Sequence, residues 1–434
     1  MLASILLLLI TIISKLTGFL RELVIASSWG TNEKADIFFL LYLIPYLIFA
    51  VIGSGIQEAL IPKFISERIK KTTESIFFSV IFYTLIGSII VYVILFLSSN
   101  ILLEGIFKID EQNKMEYLIM NMAIPFIIFI SILSAKLLSR ESYLPVYLTG
   151  IVQNTCVLIY GIFFAPITLM GLIIAFVIGS LSQFIFLCFF VKFSWFSFKI
   201  DSSKMKDLTK SIIPIVFSMI VLEISSFVDR IIASNLSDGS VSALNYAQRL
   251  AFFSINLFSY AVIQPFYVKM SKIYFNNQYD QAMDYIKKML LVILIAMFPA
   301  TLIIYMFSND FISIVYERGA FNKSATYITN EIFTYFVLCI PIFLIREVTL
   351  KYFYMTEEKK VPLYNSLIML SINIALTLLF SKIIGFKGIG LATFISICIS
   401  TIFLLLKLPI NSRVVKNMIF LMYALLFIIA ILSL

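Results

Sequence analysis

The sequence predicts an all-α integral membrane protein of about 13 transmembrane helices, arranged as two six-helix lobes plus one extra C-terminal helix. Three observations carry this. Of the 434 residues, 61% are hydrophobic and only 13% charged, and mean hydropathy is +1.03, well above the roughly half-apolar usage of soluble domains. Apolar stretches of about 20 residues, the length that crosses a bilayer as a helix, recur along the whole chain and leave no room for a sizeable soluble domain. An aromatic content of 15% supplies the rings that settle at membrane boundaries.

Apolar runs set against charged breaks place helices near 2–28, 35–62, 75–99, 116–139, 144–165, 167–191, 208–235, 241–268, 284–308, 328–353, 362–382, 387–407 and 414–433. The opening run lacks a basic leader and a small-residue cleavage pattern, so it reads as a retained helix rather than a signal peptide. Gly18, Pro45, Gly53 and Gly55 interrupt the first two spans, and Pro214, Pro265 and Pro341 interrupt later ones. Such breaks are tolerated where neighbouring helices satisfy the freed backbone groups.

A cytoplasmic N-terminus puts loops 63–74, 136–143, 192–210, 269–288, 351–361 and 407–416 inside. The outside loops then hold Lys34, Lys108, Lys114, Arg318, Lys323, Lys382 and Lys387, against roughly three times as many basic residues inside, as the positive-inside rule requires. The net charge of +9 is therefore a topology signal spread over short clusters, and no nucleic-acid partner is implied. The basic, aromatic segment "VKFSWFSFKIDSSKMKDLTK" suits the cytoplasmic headgroup layer and falls mid-chain. It divides the chain into an N-terminal lobe (1–192), an interfacial linker (193–207), a C-terminal lobe (208–408) and an additional helix (409–434). A weak parallel repeat agrees: "RELVIASSWG" closes the first span and "DRIIASNLSDG" the seventh.

Chemistry is narrowed by what is missing. With no histidine in the chain, Ser-His-Asp and Cys-His catalysis are excluded. The four cysteines, Cys156, Cys188, Cys339 and Cys398, lie inside predicted spans without paired spacing, so neither disulfides nor zinc are expected. The expectation is a transporter and not an enzyme, with no organic cofactor.

Intramembrane charge carries the functional signal, because each charge at bilayer centre costs roughly 2.5–3.5 kcal/mol on insertion scales. Lys15 and Glu22 share a face of the first helix, and Arg21 points about 100° away from Glu22. Glu223 and Arg230 repeat the seven-residue relation in the seventh span, beside Asp229, and Asn245, Arg249 and Asn256 form one polar stripe on the eighth. For any single residue, interhelical packing by polar side chains is an equal alternative. As a set they predict a cationic cavity between two lobes, suited to an anionic head group and above all to phosphate. Glu58 and the pair Arg346-Glu347 are expected to snorkel from helix ends. The outside loop "YERGAFNKSATYITNE" is either a lid or a solvated connection, and no Gly-rich phosphate loop supports ATP-driven transport.

The stretches "SKLTGFLRELVIASSWGTNEKADIFFL", "GSGIQEALIPKF", "YAQRLAFF", "VYERGAFNKSA" and "KYFYMTEEKKVP" resemble the MurJ/MviN family of lipid II flippases, within the multidrug/oligosaccharidyl-lipid/polysaccharide exporter superfamily. The resemblance implies a V-shaped pair of six-helix lobes working by alternating access in the bacterial plasma membrane. It implies a lipid-linked glycan as substrate, carried by its pyrophosphate from the cytoplasmic to the outer leaflet. Family cavity arginines fall on Lys15, Arg21 and Arg249, and a family aspartate falls on Asp36. A sodium site, present in some members, falls on Asp229, Asn373 and Thr393, with Thr377 at the place of a further carboxylate. This chain departs from the family pattern at Lys15, between Tyr46 and Val51 where an arginine pair is absent, at Phe252 where an acid often follows the arginine, and in being one helix short of fourteen.

Three function classes stay open at this point. A flippase for lipid II or another lipid-linked oligosaccharide of capsule, O-antigen or teichoic type explains the lobes and the basic cavity. A cation-coupled small-molecule antiporter would want an acidic cavity, and a non-transporting scaffold would leave the charges purely structural. Nothing in the sequence signals an oligomeric state.

Overall fold

The computed structural model describes residues 2–69, 73–164, 166–191, 223–356, 358, 360–409 and 413–432, and these contain helices and turns with no strand. The expected linker 193–207 and Pro214 lie outside the described residues. The chain divides into two compact units, Met1–Phe227 and Val228–Leu434.

The first unit begins with α1 (Leu2–Trp29), which closes at Gly30, where φ is 59°. A Cβ there would be strained, so glycine ends the helix cleanly. Asn32 then caps α2 (Glu33–Leu47), its side chain accepting from the Ala35 N–H at 3.1 Å. Past Pro45 the helix widens into a π turn (Ile48–Gly53) before resuming as α3 (Ser54–Ile69). That is the break expected from Pro45 and Gly53. The unit continues with α4 (Thr73–Leu97), α5 (Lys114–Asn121), α6 (Ala123–Leu138), α7 (Tyr143–Phe163) and α8 (Leu169–Phe190). Its core joins Leu60 and Phe64 of α3, Phe77 and Val80 of α4, Ile128 and Leu133 of α6, and Leu187 of α8.

The boundary between the units falls within α9 (described over residues 223–234); the second unit takes its end from Val228 and then α10 (Ser240–Phe258), which follows Gly239 at φ 86°. The sequence echo thus ends in a positive-φ glycine in both places. A π turn (Ser259–Ile263) leads into α11 (Gln264–Phe275), and another (Ile293–Met297) joins α12 (Tyr279–Val292) to α13 (Phe298–Met306). Next come α14 (Ser308–Tyr316), α15 (Lys323–Met355), α16 (Lys360–Ile384), α17 (Lys387–Lys407) and α18 (Arg413–Leu432). The long α15 is the spine of this unit, packing on α10, α12, α14 and α17.

Among the described residues, nine helical segments are long and apolar enough to cross a membrane, matching the second to sixth and ninth to twelfth expected spans. The last is a shorter apolar helix, the seventh is described from residue 223 onward, and the first and eighth, helical as α1 and α10, are not among the nine. Solvent-facing apolar side chains confirm a lipid-facing exterior: α4 exposes Ile89, Ile90, Ile94 and Leu97, the last at 74%, a surface no soluble monomer carries in such quantity.

Two expectations are corrected by packing. Lys136, assigned to an inside loop, belongs to α6 and is fully buried, its Nζ 3.6 Å from the Phe77 ring centroid. The ring face supplies the negative potential that water would have given. Arg346 does not snorkel, because α15 runs on to Met355 and keeps it buried. The "YERGAF" corner is an exposed turn anchored by its aromatics: Arg318, Gly319 and Ala320 are exposed, while Tyr316 and Phe321 are buried and pack on Tyr246 of α10, with ring centroids at 5.4 and 5.6 Å. Asn322 then caps α15 by accepting from the Ala325 N–H at 3.0 Å.

Candidate functional site

In the first unit the site is built where α1 lies against α7. Small residues permit the approach: a Cβ added at Gly18 would meet Asn154 Nδ2 at 3.3 Å, and one at Gly161 would overlap Val24. Small-residue contacts of this kind let membrane helices come close enough for side chains to bond across them. Here Asn154 of α7 faces α1 with its carbonyl toward Arg21 and its amide toward Thr17.

Arg21 Nη1 donates to Asn154 Oδ1 at 3.2 Å, and Asn154 Nδ2 donates to Thr17 Oγ1 at 3.4 Å. Arg21 Nη2 donates to Glu22 Oε1 at 2.9 Å, with both side chains buried. The guanidinium carbon stands 5.8 Å from the Tyr42 ring centroid, and Tyr42 is wedged against Phe176 of α8 at 5.1 Å. The helical offset of about 100° between neighbours therefore does not separate Arg21 from Glu22. A long arginine reaches around the helix to meet its neighbour. Arg21 Nε has no hydrogen-bond partner among the described residues. The arrangement is a buried, neutralised cation with donor capacity left over.

Lys15 lies on the same helix and is exposed, and Asp36 is buried in the first turn of α2. A carboxylate in that turn is favoured by the helix dipole. Glu223 and Arg230 are half-buried along α9.

The second unit gathers Asp229 of α9, Asn373 and Thr377 of α16 and Thr393 of α17. Thr377 Oγ1 donates to Asp229 Oδ1 at 3.1 Å, and Asn373 Nδ2 donates to Thr393 Oγ1 at 3.3 Å. Asn373 and Thr377 are one turn apart on α16, so the two bonds stack on one face. Asp229, Asn373 and Thr377 are buried. The cluster offers one carboxylate, one amide carbonyl and two hydroxyls. Among the described residues no group of three or more His, Cys, Asp or Glu could hold a metal ion. On α10, Asn245 is buried whereas Arg249 and Asn256 are exposed, so the stripe runs from core to open surface.

Sequence reasoning missed Asn154 and Tyr42, because neutral residues in apolar helices carry no pattern until the packing is known. It also underweighted Arg346, whose Nε donates to Asn365 Oδ1 at 3.1 Å while Asn365 Nδ2 donates to the Ser400 carbonyl at 2.5 Å. The adjacent Glu347 accepts from Ser259 Oγ at 2.5 Å, tying α15 to the π turn that follows α10.

Comparison with known proteins gives consistent findings. Residues 25–434 match the family model described as lipid II flippase MurJ. A probable lipid II flippase MurJ of Rickettsia prowazekii is 25% identical over 410 residues, covering 91% of this chain and 81% of its own length. One of Buchnera aphidicola subsp. Acyrthosiphon pisum is 24% identical over 432 residues, covering 94% and 83%. A solved lipid II flippase MurJ in an inward closed conformation superimposes with a TM-score of 0.84 at 21% identity, covering 99% of this chain and 97% of that one. A multidrug resistance MATE family transporter in its inward-facing conformation gives 0.72 at 13% identity, covering 93% and 97%.

Proposed function

Because the chain belongs to the lipid II flippase MurJ family, shown by the match over residues 25–434, we propose that it moves lipid II between the leaflets of a bacterial plasma membrane by alternating access. The single observation that carries the reading is that family match, unbroken across both units. The buried Arg21 cluster is consistent with it in chemistry. A pyrophosphate competes with Glu22 for the guanidinium, since an arginine presents a bidentate fork to either oxyanion.

In this reading the movement runs from the cytoplasmic to the outer leaflet, with the N-terminus cytoplasmic, as the basic loops support. Lys15 and Arg21 of the first unit, and Arg249 of the second, are the cations that meet the head group's phosphates, with Asn245 and Asn256 as neutral hydrogen-bonding partners of the sugar. Asp36 limits the local positive charge. Glu22, Glu223 and Arg230 act as gating charges, pairing and releasing as the head group arrives and leaves. A flippase makes and breaks no covalent bond, so these roles are binding and exclusion alone.

The Asp229 cluster fits a sodium ion. Its donors are hard oxygens bearing a single negative charge, which suits a monovalent cation better than a divalent one. Bound sodium would supply the coupling charge, and Asp229, Asn373 and Thr393 would hold it, with Thr377 as the further hydroxyl. A sodium-dependent rise in thermal stability, lost in Asp229→Asn, is the check.

A second reading keeps the mechanism and changes the sugar. It is favoured by Phe252, whose ring packs edge-on against Phe343 at 5.9 Å where an acid is common in the family. The deciding experiment is complementation of a strain depleted of its own lipid II flippase. Rescue by the wild type, with no rescue by Arg249→Ala at equal membrane abundance, is the expected result. A wild type that inserts but does not rescue points to another lipid-linked glycan.

A further inference from the structure

Where α11 turns into α12, the second unit carries a recess of about 260 Å³ walled by Tyr274, Tyr279, Asp280, Asp284 and Lys287 and by Tyr352 from the last turn of α15. We propose that this recess binds the head group of an aminophospholipid, an ethanolamine phosphodiester, seating its ammonium against the tyrosines and Asp280.

The position comes first. The span that starts at Tyr279 has 28 residues, about 42 Å of helix at 1.5 Å per residue, against a hydrocarbon core of about 30 Å. Roughly eight residues project beyond the hydrocarbon, and the polar start of α12 places Asp280 and Asp284 in that excess with Lys287 at its edge. Tyr352 comes from the far end of the 33-residue α15. The recess therefore lies at a membrane boundary, at the depth of lipid head groups.

Its chemistry selects a cation. The Tyr274 and Tyr279 rings meet edge to face, with centroids 4.9 Å apart and planes at 69°, so together they form an aromatic corner rather than a flat wall. Tyr279 donates its hydroxyl hydrogen to Asn277 Oδ1 at 2.9 Å, which fixes that ring. Aromatic corners of this kind attract ammonium groups through the ring quadrupole. Of the two carboxylates, Asp284 is neutralised by Lys287 at 2.8 Å. Asp280, one turn earlier on the same face, has no cation paired with it among the described residues. The recess thus holds one net negative charge beside aromatic rings, and one ammonium already in place.

That ammonium decides the ligand class. A simple polyamine would meet Lys287 as a like charge, whereas an ethanolamine phosphodiester carries a phosphate a few bonds from its ammonium. The phosphate shares Lys287 and the adjacent, exposed Lys288 with Asp284, the carboxylate both lysines already act on, and the ammonium takes Asp280 and the rings, so each charge of the ligand meets one of opposite sign. Two other lysines of this unit are held by rings: Lys269 stands 5.0 Å from the Tyr285 ring centroid and Lys351 5.1 Å from that of Tyr267.

The test uses the full chain purified in detergent and scored by native mass spectrometry with short-chain phosphatidylethanolamine, phosphatidylglycerol and free spermidine as separate probes. The expected result is retention of phosphatidylethanolamine about ten-fold better than phosphatidylglycerol, reduced to parity by Asp280→Asn and by Tyr274→Leu. Asp280 is exposed, so its amide variant folds, and Asp310→Asn on α14 serves as a control that keeps the preference. Equal retention of the two lipids by the wild type overturns the proposal. So does a preference that survives Asp280→Asn, or spermidine binding more tightly than the lipid. None of these readouts depends on flipping, so the result stands apart from the complementation outcome.

Discussion

Removing the carboxylate of Glu22 is the sharpest probe of the Arg21 cluster. In the wild type the two side chains are 9% and 2% exposed and meet at 2.9 Å. Deleting one partner of a buried ion pair costs about 3–5 kcal/mol, because the survivor keeps its charge without compensation. In Glu22→Ala, Arg21 retains Asn154 at 3.2 Å, so the loss belongs at the lower end, about 3 kcal/mol. The double variant Arg21→Met/Glu22→Leu removes both charges and fills the space. It leaves Asn154 Oδ1 short of a donor, a cost of about 1–2 kcal/mol. The double variant is thus expected to be more stable than the single one by at least 1 kcal/mol, yet inactive in rescue. Equilibrium unfolding in mixed micelles measures the first quantity and complementation the second. A Glu22→Ala protein within 1 kcal/mol of wild type, or a double variant no better than the single, would refute the view that these groups form a coupled, desolvated pair.

Other perturbations follow from the same geometry. Asn365→Leu strips the acceptor from buried Arg346 and the donor from the Ser400 carbonyl, and is expected to cost about 3 kcal/mol in the same unfolding assay, whereas Asn365→Asp keeps the acceptor and costs less. Asn154→Leu removes the bond from α7 to Arg21 while preserving bulk. Reduced rescue at normal abundance is expected, and full rescue would show that the bond is dispensable. A Cβ at Gly388 would overlap the backbone carbonyl of Phe380, whereas one at Gly87 meets nothing within 4 Å. Gly388→Ala should therefore lose about 3 kcal/mol, and Gly87→Ala should gain about 0.5–1 kcal/mol from helix propensity.

The residues show unevenly how much could be read in advance. Helix positions were legible because a 20-residue apolar run has few other fates. The short α14 and the π geometry of the breaks were not, since they depend on neighbours that satisfy a widened backbone. Arg21 and Glu22 were legible as functional candidates through the cost of placing charge in lipid. Their pairing was not, because side-chain reach outruns helical phase. Lys136 shows the same limit from the other side: its place near a loop suggested a topology signal, and only the Phe77 ring reveals that the protein interior accommodates it.

By itself the sequence determined the class of molecule, the location of nine of its expected spans and the residues that carry uncommon charge, because hydrophobicity and charge are additive properties of a chain and survive without coordinates. The tertiary structure decided which charges are neutralised, which hydroxyls and amides stand beside them, and where tyrosines from α11, α12 and α15 meet in one recess. Those depend on helices far apart in sequence approaching within hydrogen-bond distance, and a bond made at 3 Å and lost by 4 Å leaves no periodic trace in the order of residues.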